Sequence, residues 1–201
     1  MQKRNYHHEM LQILAQATPG EALLLHACCG PCSSAVLERL GRVFAVTLLY
    51  ANPNIWPPEE YARRRDEQLS LLARLPLVYP VRFVEEEYDH EAFLAAVQGL
   101  EAESEGGARC EQCFRLRLAS AARHAQELGI RRFTTTLSVS PHKNAALLSA
   151  LGEETAAAQG LVYLPSDFKK ENGYLRSQQL SEEYGLYRQD YCGCEFSART
   201  K

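Results

Sequence analysis

The stretch LLLHACCGPCSS, residues 23–34, passes from a short apolar run into three thiols and then two serines. It predicts a buried β-strand over Leu23–Ala27, a turn at residues 30–31 and a helix capped by Ser33 or Ser34. In a doubly wound sheet, the loop after the first strand opens at the carboxyl edge, where the strand order reverses and ligands bind. Cysteines occupy this loop, where a nucleotide-binding protein would have a glycine-rich sequence. We therefore predict that the chemistry of this protein takes place at this loop.

Seven cysteines occur in the 201-residue chain, in three tight clusters: Cys28, Cys29 and Cys32; Cys110 and Cys113; Cys192 and Cys194. A chain of this length buries roughly 70% of the surface that it exposes when unfolded, so it folds without disulfide staples. Residues 1–10 are polar and lack the pattern of a signal segment, and no apolar run approaches the ~18 residues of a membrane helix. We therefore expect a cytoplasmic protein without membrane contact. Its clustered thiols are expected to bind metal or to cycle redox.

The formal net charge of −3 gives no overall sign of nucleic-acid binding. Basic residues nevertheless cluster at Arg63–Arg65, at Arg115 with Arg117, at Arg131–Arg132 and at Lys169–Lys170. For the first three of these groups, the pattern predicts solvated helix faces.

Apolar runs alternate with helical patterns along the chain. Besides the first strand, we predict strands over residues 43–50, 77–84, 133–137 and 161–164. We predict helices over residues 1–20, from Ser33 or Ser34 onward, and over 59–74, 89–97, 113–128, 144–159 and 174–184. This alternation implies parallel pairing with right-handed crossovers. The prediction is a single three-layer α/β/α domain over residues 1–201, with a mostly parallel, Rossmann-like (HUP-like) five-stranded sheet and a cysteine-bearing C-terminal tail at residues 186–201.

Four thiolates are available from Cys28 and Cys29, after the first strand, and from Cys110 and Cys113, before a later helix. Four thiolates bind an iron–sulfur cluster, and they also bind a structural zinc ion. Adjacent cysteines are awkward ligands for one tetrahedral zinc but can reach different irons of a cubane, which favours the cluster. Cys32 is then either a core thiol or a further ligand or proton donor beside the metal.

Cys192-Gly193-Cys194 differs from the other clusters because a single residue separates its thiols. A disulfide across one residue is strained, and strain raises its reduction potential, so the pair suits electron exchange better than stapling. Two further metal ligands, or two inert thiols, are the alternatives.

Six blocks of sequence together resemble the QueH-type epoxyqueuosine reductases, the cobalamin-independent enzymes of the last step in queuosine modification of tRNA. The resemblance spans nearly the whole chain. It departs from the family pattern before the CxxC, where residues 103–107 lack the usual proline and an arginine. The blocks are LHACCGPC (25–32), NPNI (52–55) with EY (60–61), GARCEQCF (107–114), TTTLS (134–138) with SPHKN (140–144), DFKK (167–170) and YRQDYCGCEFS (187–197).

The resemblance implies a [4Fe-4S] cluster on the cysteine doublet and the CxxC, here Cys28, Cys29, Cys110 and Cys113. It also implies a redox-active disulfide between Cys192 and Cys194, and a separate iron beside the cluster, for which Cys32 is the candidate ligand. The implied substrate is epoxyqueuosine at the wobble position of a tRNA, which loses its epoxide oxygen with electrons from an unidentified donor.

Positions within the matched blocks give candidate site residues. Asp190 and Asp167 are candidate proton donors. Trp56 is either a substrate-stacking residue or a packing plug under its loop. The candidate substrate contacts are Asn52, Trp56, His142, Lys143, Lys169, Lys170, Arg188 and Tyr191.

Two other classes of function stay open at this point. A metal-free thiol–disulfide oxidoreductase would use the CxC pair alone, and a zinc-stabilised RNA-binding module would use the CxxC structurally. An adenylating tRNA-thiolation enzyme is disfavoured, because the first loop lacks the glycine and serine pattern that holds ATP phosphates.

Overall fold

A computed structural model describes residues 4–198 and contains a parallel five-stranded sheet flanked by helices. The strands are β1 (Glu21–His26), β2 (Phe44–Tyr50), β3 (Arg82–Glu85), β4 (Arg132–Thr135) and β5 (Val162–Tyr163). The helices are α1 (Tyr6–Gln16), α2 (Gly30–Leu40), α3 (Pro58–Arg74), α4 (His90–Ala96), α5 (Ala108–Glu127), α6 (Ala145–Ala158), α7 (Gly173–Glu183) and α8 (Glu195–Ala198). The predicted α/β fold is confirmed, and all strand pairs in the sheet are parallel.

The sheet has the order β3-β2-β1-β4-β5, with β1 in the centre. His26, the last residue of β1, is in register with Leu49 of β2 and Thr135 of β4. The chain moves outward from β1 to β3 and then returns to the other side at β4, so the strand order reverses between β1 and β4. The thiol loop therefore begins at the switch point, where a ligand site is expected in such a sheet.

Alternating side chains of β1 belong to two hydrophobic clusters, one on each face of the sheet. Leu23 and Leu25 pack with residues of α1, α2 and α3. Leu24 packs on the other face with residues of α5 and α6. Helices thus cover both faces, which confirms the three-layer arrangement.

Two helices begin earlier than predicted. Helix α2 begins at Gly30, with Pro31 in its first turn, so the predicted turn at residues 30–31 and the predicted serine caps are wrong. The hydroxyl of Ser33 instead donates to the carbonyl of Cys29 and to Oε1 of Gln68, at 3.0 and 2.5 Å. Helix α5 begins at Ala108, so its first two turns contain the whole CxxC.

Other boundaries differ for local reasons. Strand β3, at the edge of the sheet, is shorter than predicted: it begins at Arg82, after Pro80, which has no amide proton to donate to β2. A 3-10 helix over Thr136–Val139 follows β4, and the short helix α8 was not predicted. Asp89 caps α4 as predicted, accepting a hydrogen bond from the amide of Ala92.

Residues 1–3 of the predicted first helix and 199–201 of the predicted tail lie outside the described residues. Between residues 4 and 198, no helix combines the length and the apolar character that crossing a bilayer requires.

Candidate thiol site and substrate cavity

The thiols of Cys28, Cys29 and Cys32 form a compact group at the carboxyl end of β1. Their sulfur atoms lie within 4.8 Å of one another, and Sγ of Cys28 is 3.8 Å from Sγ of Cys29. The amide of Cys28 donates to Oγ1 of Thr136 at 3.3 Å, which ties the loop to the 3-10 helix after β4. Metal–sulfur bonds of about 2.3 Å in a tetrahedral site bring ligand sulfurs to about this separation. The group could therefore hold one metal ion.

The pKa values of the three thiols differ from one another. Hydrogen bonds from Cys29 and Cys32, followed by the charge of Arg117, hold the pKa of Cys28 well below its ordinary value. The hydrogen bond to Cys28 raises the pKa of Cys29 to about 12, and that of Cys32 is also raised. One of the three is thus favoured as a thiolate, and a metal that binds all three must displace the remaining protons.

The CxxC thiols approach the same region from the start of α5. Sγ of Cys110 accepts a hydrogen bond from the amide of Gly106 at 3.2 Å, and Cys113 is buried. Burial raises the pKa of Cys113 to about 12, against the opposing charge of Arg117. The guanidinium of Arg109 donates to the backbone carbonyls of Glu101 and Glu103, which anchors the loop before α5.

The third cluster reaches the first two from the end of the chain. Cys194 is buried and packs with Cys113 in one hydrophobic cluster. Cys192 is half-buried and interacts electrostatically with both Cys110 and Cys113. All seven cysteines are free thiols, and the three sequence clusters lie in one region of the fold.

A cavity of about 370 Å³ opens beside these thiols. Its lining includes the segment 188–192, which we name the strap, together with Cys28, Cys32 and residues 139–143. Nε2 of Gln189 in the strap donates to Sγ of Cys29 at 3.0 Å. Nζ of Lys143 lies 3.3 Å from Sγ of Cys192. The cavity thus presents thiols and a cation to any molecule that enters it.

Two buried arginines surround the site, although the sequence predicted solvated faces for the groups that contain them. Arg117 is 2% exposed; its Nη2 donates to Oδ1 of Asn52 at 2.6 Å, and its Nη1 lies 4.0 Å from Sγ of Cys113. Arg64 is also 2% exposed; it pairs with Glu60 at 2.6 Å and donates to the carbonyl of Cys192 at 3.2 Å. The solvated-face prediction is wrong for these two residues.

The predicted site residues divide into two sets. Among the residues described, those that line the cavity are Cys28, Cys32, His142, Lys143, Arg188, Asp190, Tyr191 and Cys192. The others have different surroundings. Lys169 pairs with Asp167 at 2.6 Å, Lys170 is exposed, and Asn52 is buried, donating to the carbonyl of Ala27 at 2.9 Å.

Trp56 is 43% exposed, so it is not a packing plug. Its backbone contacts the end of the chain on both sides. Its amide donates to the carbonyl of Gly193 at 2.9 Å, and its carbonyl accepts from the hydroxyl of Tyr191 at 2.8 Å. The backbone of Trp56 is therefore attached to the strap and to the CxC, and Trp56 is not part of the cavity lining.

Comparison with known protein families finds a match over most of the chain. A family model described as "Epoxyqueuosine reductase QueH" matches residues 23–200, which include all seven cysteines. The chain belongs to this family. A curated member from Streptococcus pyogenes serotype M1 is 40% identical over 203 residues, covering 98% of this chain and 80% of the relative. A member from Staphylococcus epidermidis is 40% identical over 204 residues (98% and 86%), and one from Thermotoga maritima is 33% identical over 176 residues (87% and 89%).

Membership identifies the chain as an oxidoreductase of the epoxyqueuosine reductase family. Sequence reasoning missed three of the residues that shape the site: Arg64, Arg117 and Gln189. A signal for Arg117 was present, because it follows Cys113 by four positions and so lies on the same side of α5. Arg64 carried no comparable signal, since its partner, the carbonyl of Cys192, is 128 positions away in the sequence.

Proposed function

We propose that this protein removes the epoxide oxygen of epoxyqueuosine in tRNA, giving queuosine, with an iron–sulfur cluster as its cofactor. The observation that carries the proposal is the meeting of three distant thiol clusters beside one cavity, in a chain of the epoxyqueuosine reductase family. The overall change consumes two electrons and two protons and releases water. We further propose that residues 1–201 act as one domain in the cytoplasm, where the thiols stay reduced.

The proposed ligands of a [4Fe-4S] cluster are Cys28, Cys29, Cys110 and Cys113. These four side chains fit a [4Fe-4S] cluster, because all of them are thiols and the buried guanidinium of Arg117 lies beside Cys113. When bound, a cluster of this kind supplies single electrons to a neighbouring acceptor. Cys32, within 4.8 Å of Cys28 and Cys29 and part of the cavity wall, is the proposed ligand of a separate iron.

The residues of the chain itself bind and orient the modified nucleoside in this proposal. A wobble nucleotide in a single-stranded loop turns out of the stack at low cost, and it can then enter the cavity. His142, Lys143 and Arg188 line the opening and are the proposed partners of phosphate and sugar oxygens. Asp190 lies in the same lining and is the proposed proton donor to the leaving oxygen.

Cys192 and Cys194 are proposed to deliver the electron pair. Two thiols that form a disulfide release two electrons and two protons, which is what the reaction consumes. An external dithiol or another two-electron donor must then reduce the disulfide again. The free thiols of the described structure correspond to the reduced form.

A metal-free thiol–disulfide oxidoreductase is the second candidate, and the contact of Lys143 with Cys192 favours it. Burial works against the charge of Lys143, but the charge and hydrogen bond of Cys192 more than offset it, so the pKa of Lys143 is raised above its ordinary value. A lysine that stays charged beside a thiol supports disulfide exchange without any metal.

The test is anaerobic reconstitution with iron and sulfide, followed by incubation with epoxyqueuosine-containing tRNA and dithionite. Nucleosides from the digested tRNA are then analysed by mass spectrometry. We expect the modified nucleoside to lose the mass of one oxygen atom. An iron-free, colourless protein with full activity would favour the second candidate and contradict the first.

Two cysteine variants separate the proposed roles. Cys110→Ala is expected to lose the visible cluster absorption, because it removes a proposed ligand. Cys194→Ala is expected to keep the absorption but to slow turnover, because it removes only the electron relay. Unchanged absorption of Cys110→Ala would contradict the ligand assignment, and unchanged turnover of Cys194→Ala would contradict the relay.

A further inference from the structure

Arg117 is a buried cation held by neutral groups. Besides its bond to Asn52, its Nε lies 3.4 Å from Nε2 of His26. The Asn52 side chain donates through Nδ2 to the carbonyl of Ala27, which leaves Oδ1 to face Arg117. The guanidinium is therefore fixed in one orientation, with Cys113 beside Nη1.

His26 is fixed beside Arg117 by other partners. Its Nε2 lies 3.0 Å from the carbonyl oxygen of Ala51, and its Nδ1 lies 2.9 Å from Oγ1 of Thr135. The orientation of the guanidinium is therefore set by its bond to Asn52.

Thiols lie close to the guanidinium of Arg117. Its Nη1 is 4.0 Å from Sγ of Cys113, and Arg117 lines the same cavity as Cys28 and Cys192. Cys113 and Cys28 are proposed cluster ligands, one from α5 and one from the loop after β1. The cation is therefore in contact with one half of the proposed ligand set and lines the same cavity as a member of the other half.

We propose that Arg117 is a positioning residue that raises the reduction potential of the cluster bound by the neighbouring cysteines, an inference that rests on the proposed function. In the relevant step the cluster gains one electron from an external reductant, and no bond forms or breaks. The added negative charge is stabilised by a fixed cation, and the stabilisation is stronger where water is excluded. Asn52 contributes by holding the guanidinium in place.

The test is a redox titration of the reconstituted protein, monitored by electron paramagnetic resonance. Arg117→Gln removes the charge, Arg117→Lys keeps it, and Arg115→Gln removes a charge from the outer face of the same helix as a matched control. We expect Arg117→Gln to reduce the equilibrium constant for cluster reduction about tenfold or more, which lowers the midpoint potential by at least about 59 mV. Arg117→Lys and Arg115→Gln are expected to stay within about threefold of the parent.

If the parent protein holds a cluster and Arg117→Gln has the same midpoint potential, this inference is overturned and the proposed function stands. An equal loss in Arg117→Gln and Arg117→Lys would also overturn it, since packing and not charge would be responsible. If Arg117→Gln does not fold or hold a cluster, Asn52→Asp replaces it, because a carboxylate beside the guanidinium cancels its charge. An unchanged potential in Asn52→Asp then counts against the inference. A parent protein without any cluster overturns both proposals.

Discussion

Replacing Arg64 tests whether the strap is anchored by a buried ion pair. Nε of Arg64 donates to Glu60 at 2.6 Å, and Nη1 donates to the carbonyl of Cys192 at 3.2 Å. Both members of the pair are shielded, with 2% and 10% of their side chains exposed. In Arg64→Met the carboxylate of Glu60 remains buried without its cation, and the carbonyl of Cys192 loses its donor.

Removing one partner of a buried ion pair costs about 3–5 kcal/mol. The hydroxyl of Tyr187, 3.3 Å from the Glu60 carboxylate, still donates to it in the variant. We therefore expect Arg64→Met to lower the free energy of unfolding by about 3 kcal/mol, the bottom of that range. Neighbouring Arg63 is exposed, so Arg63→Met is the matched control and is expected to change stability by less than about 1 kcal/mol.

Urea denaturation at neutral pH, followed by circular dichroism, measures these differences. A double variant with Glu60→Gln and Arg64→Met is expected to recover about 1 kcal/mol or more relative to the sum of the single changes, because it leaves no unpaired charge. Equal stability of Arg64→Met and Arg63→Met would refute the reasoning. Strict additivity of the double variant would show that Glu60 and Arg64 do not stabilise each other.

Three further predictions concern single side chains. Gly193→Ala is expected to lower the free energy of unfolding by about 1–3 kcal/mol and to slow turnover. The reason is that φ at this position is +124° and the new Cβ would lie 2.9 Å from Nη1 of Arg64. A melting temperature and a turnover rate equal to those of the wild type would contradict this. Gly152→Ala is expected to cost about 1–3 kcal/mol by urea denaturation, because its Cβ would lie 2.4 Å from the ring of Tyr163; an unchanged midpoint would count against it. The guanidinium of Arg176, in α7, donates a hydrogen bond to Glu38 and lowers the pKa of that carboxyl group. This contact therefore stabilises the fold above about pH 4.5, and the stabilisation is lost as the pH falls further. Glu38→Gln should therefore cost less than about 1 kcal/mol at pH 7 and less still at pH 4 in denaturation curves, and a cost that grows on acidification would contradict the assignment.

The alternation of apolar runs and helical patterns predicted the succession of strands and helices along the chain, because parallel strands buried on both faces are continuous apolar segments. The early starts of α2 and α5 could not be predicted from caps. Cys29 and Gly107 precede these helices, and neither forms a side-chain capping bond.

The thiol groups were predictable from spacing, and their polar surroundings were not. The burial of Arg64 depends on a carbonyl near the end of the chain, and that of Arg117 depends on Asn52 in the loop after β2. Residues far apart in sequence determine both environments, so the local pattern predicts the burial of neither Arg64 nor Arg117. The spacing of Arg117 from Cys113 indicates only which side of α5 it occupies. Position in a matched block was also an incomplete guide, since Asp190 lines the cavity and Asp167 pairs with Lys169 outside its lining.

The strap consists of residues 188–192, which a ribosome adds after the first five cysteines and every strand of the sheet. During synthesis, the thiol loop and the CxxC are therefore complete before the strap that contributes to the cavity lining is made. A cofactor that binds only these five cysteines can associate with them before the strap is in place.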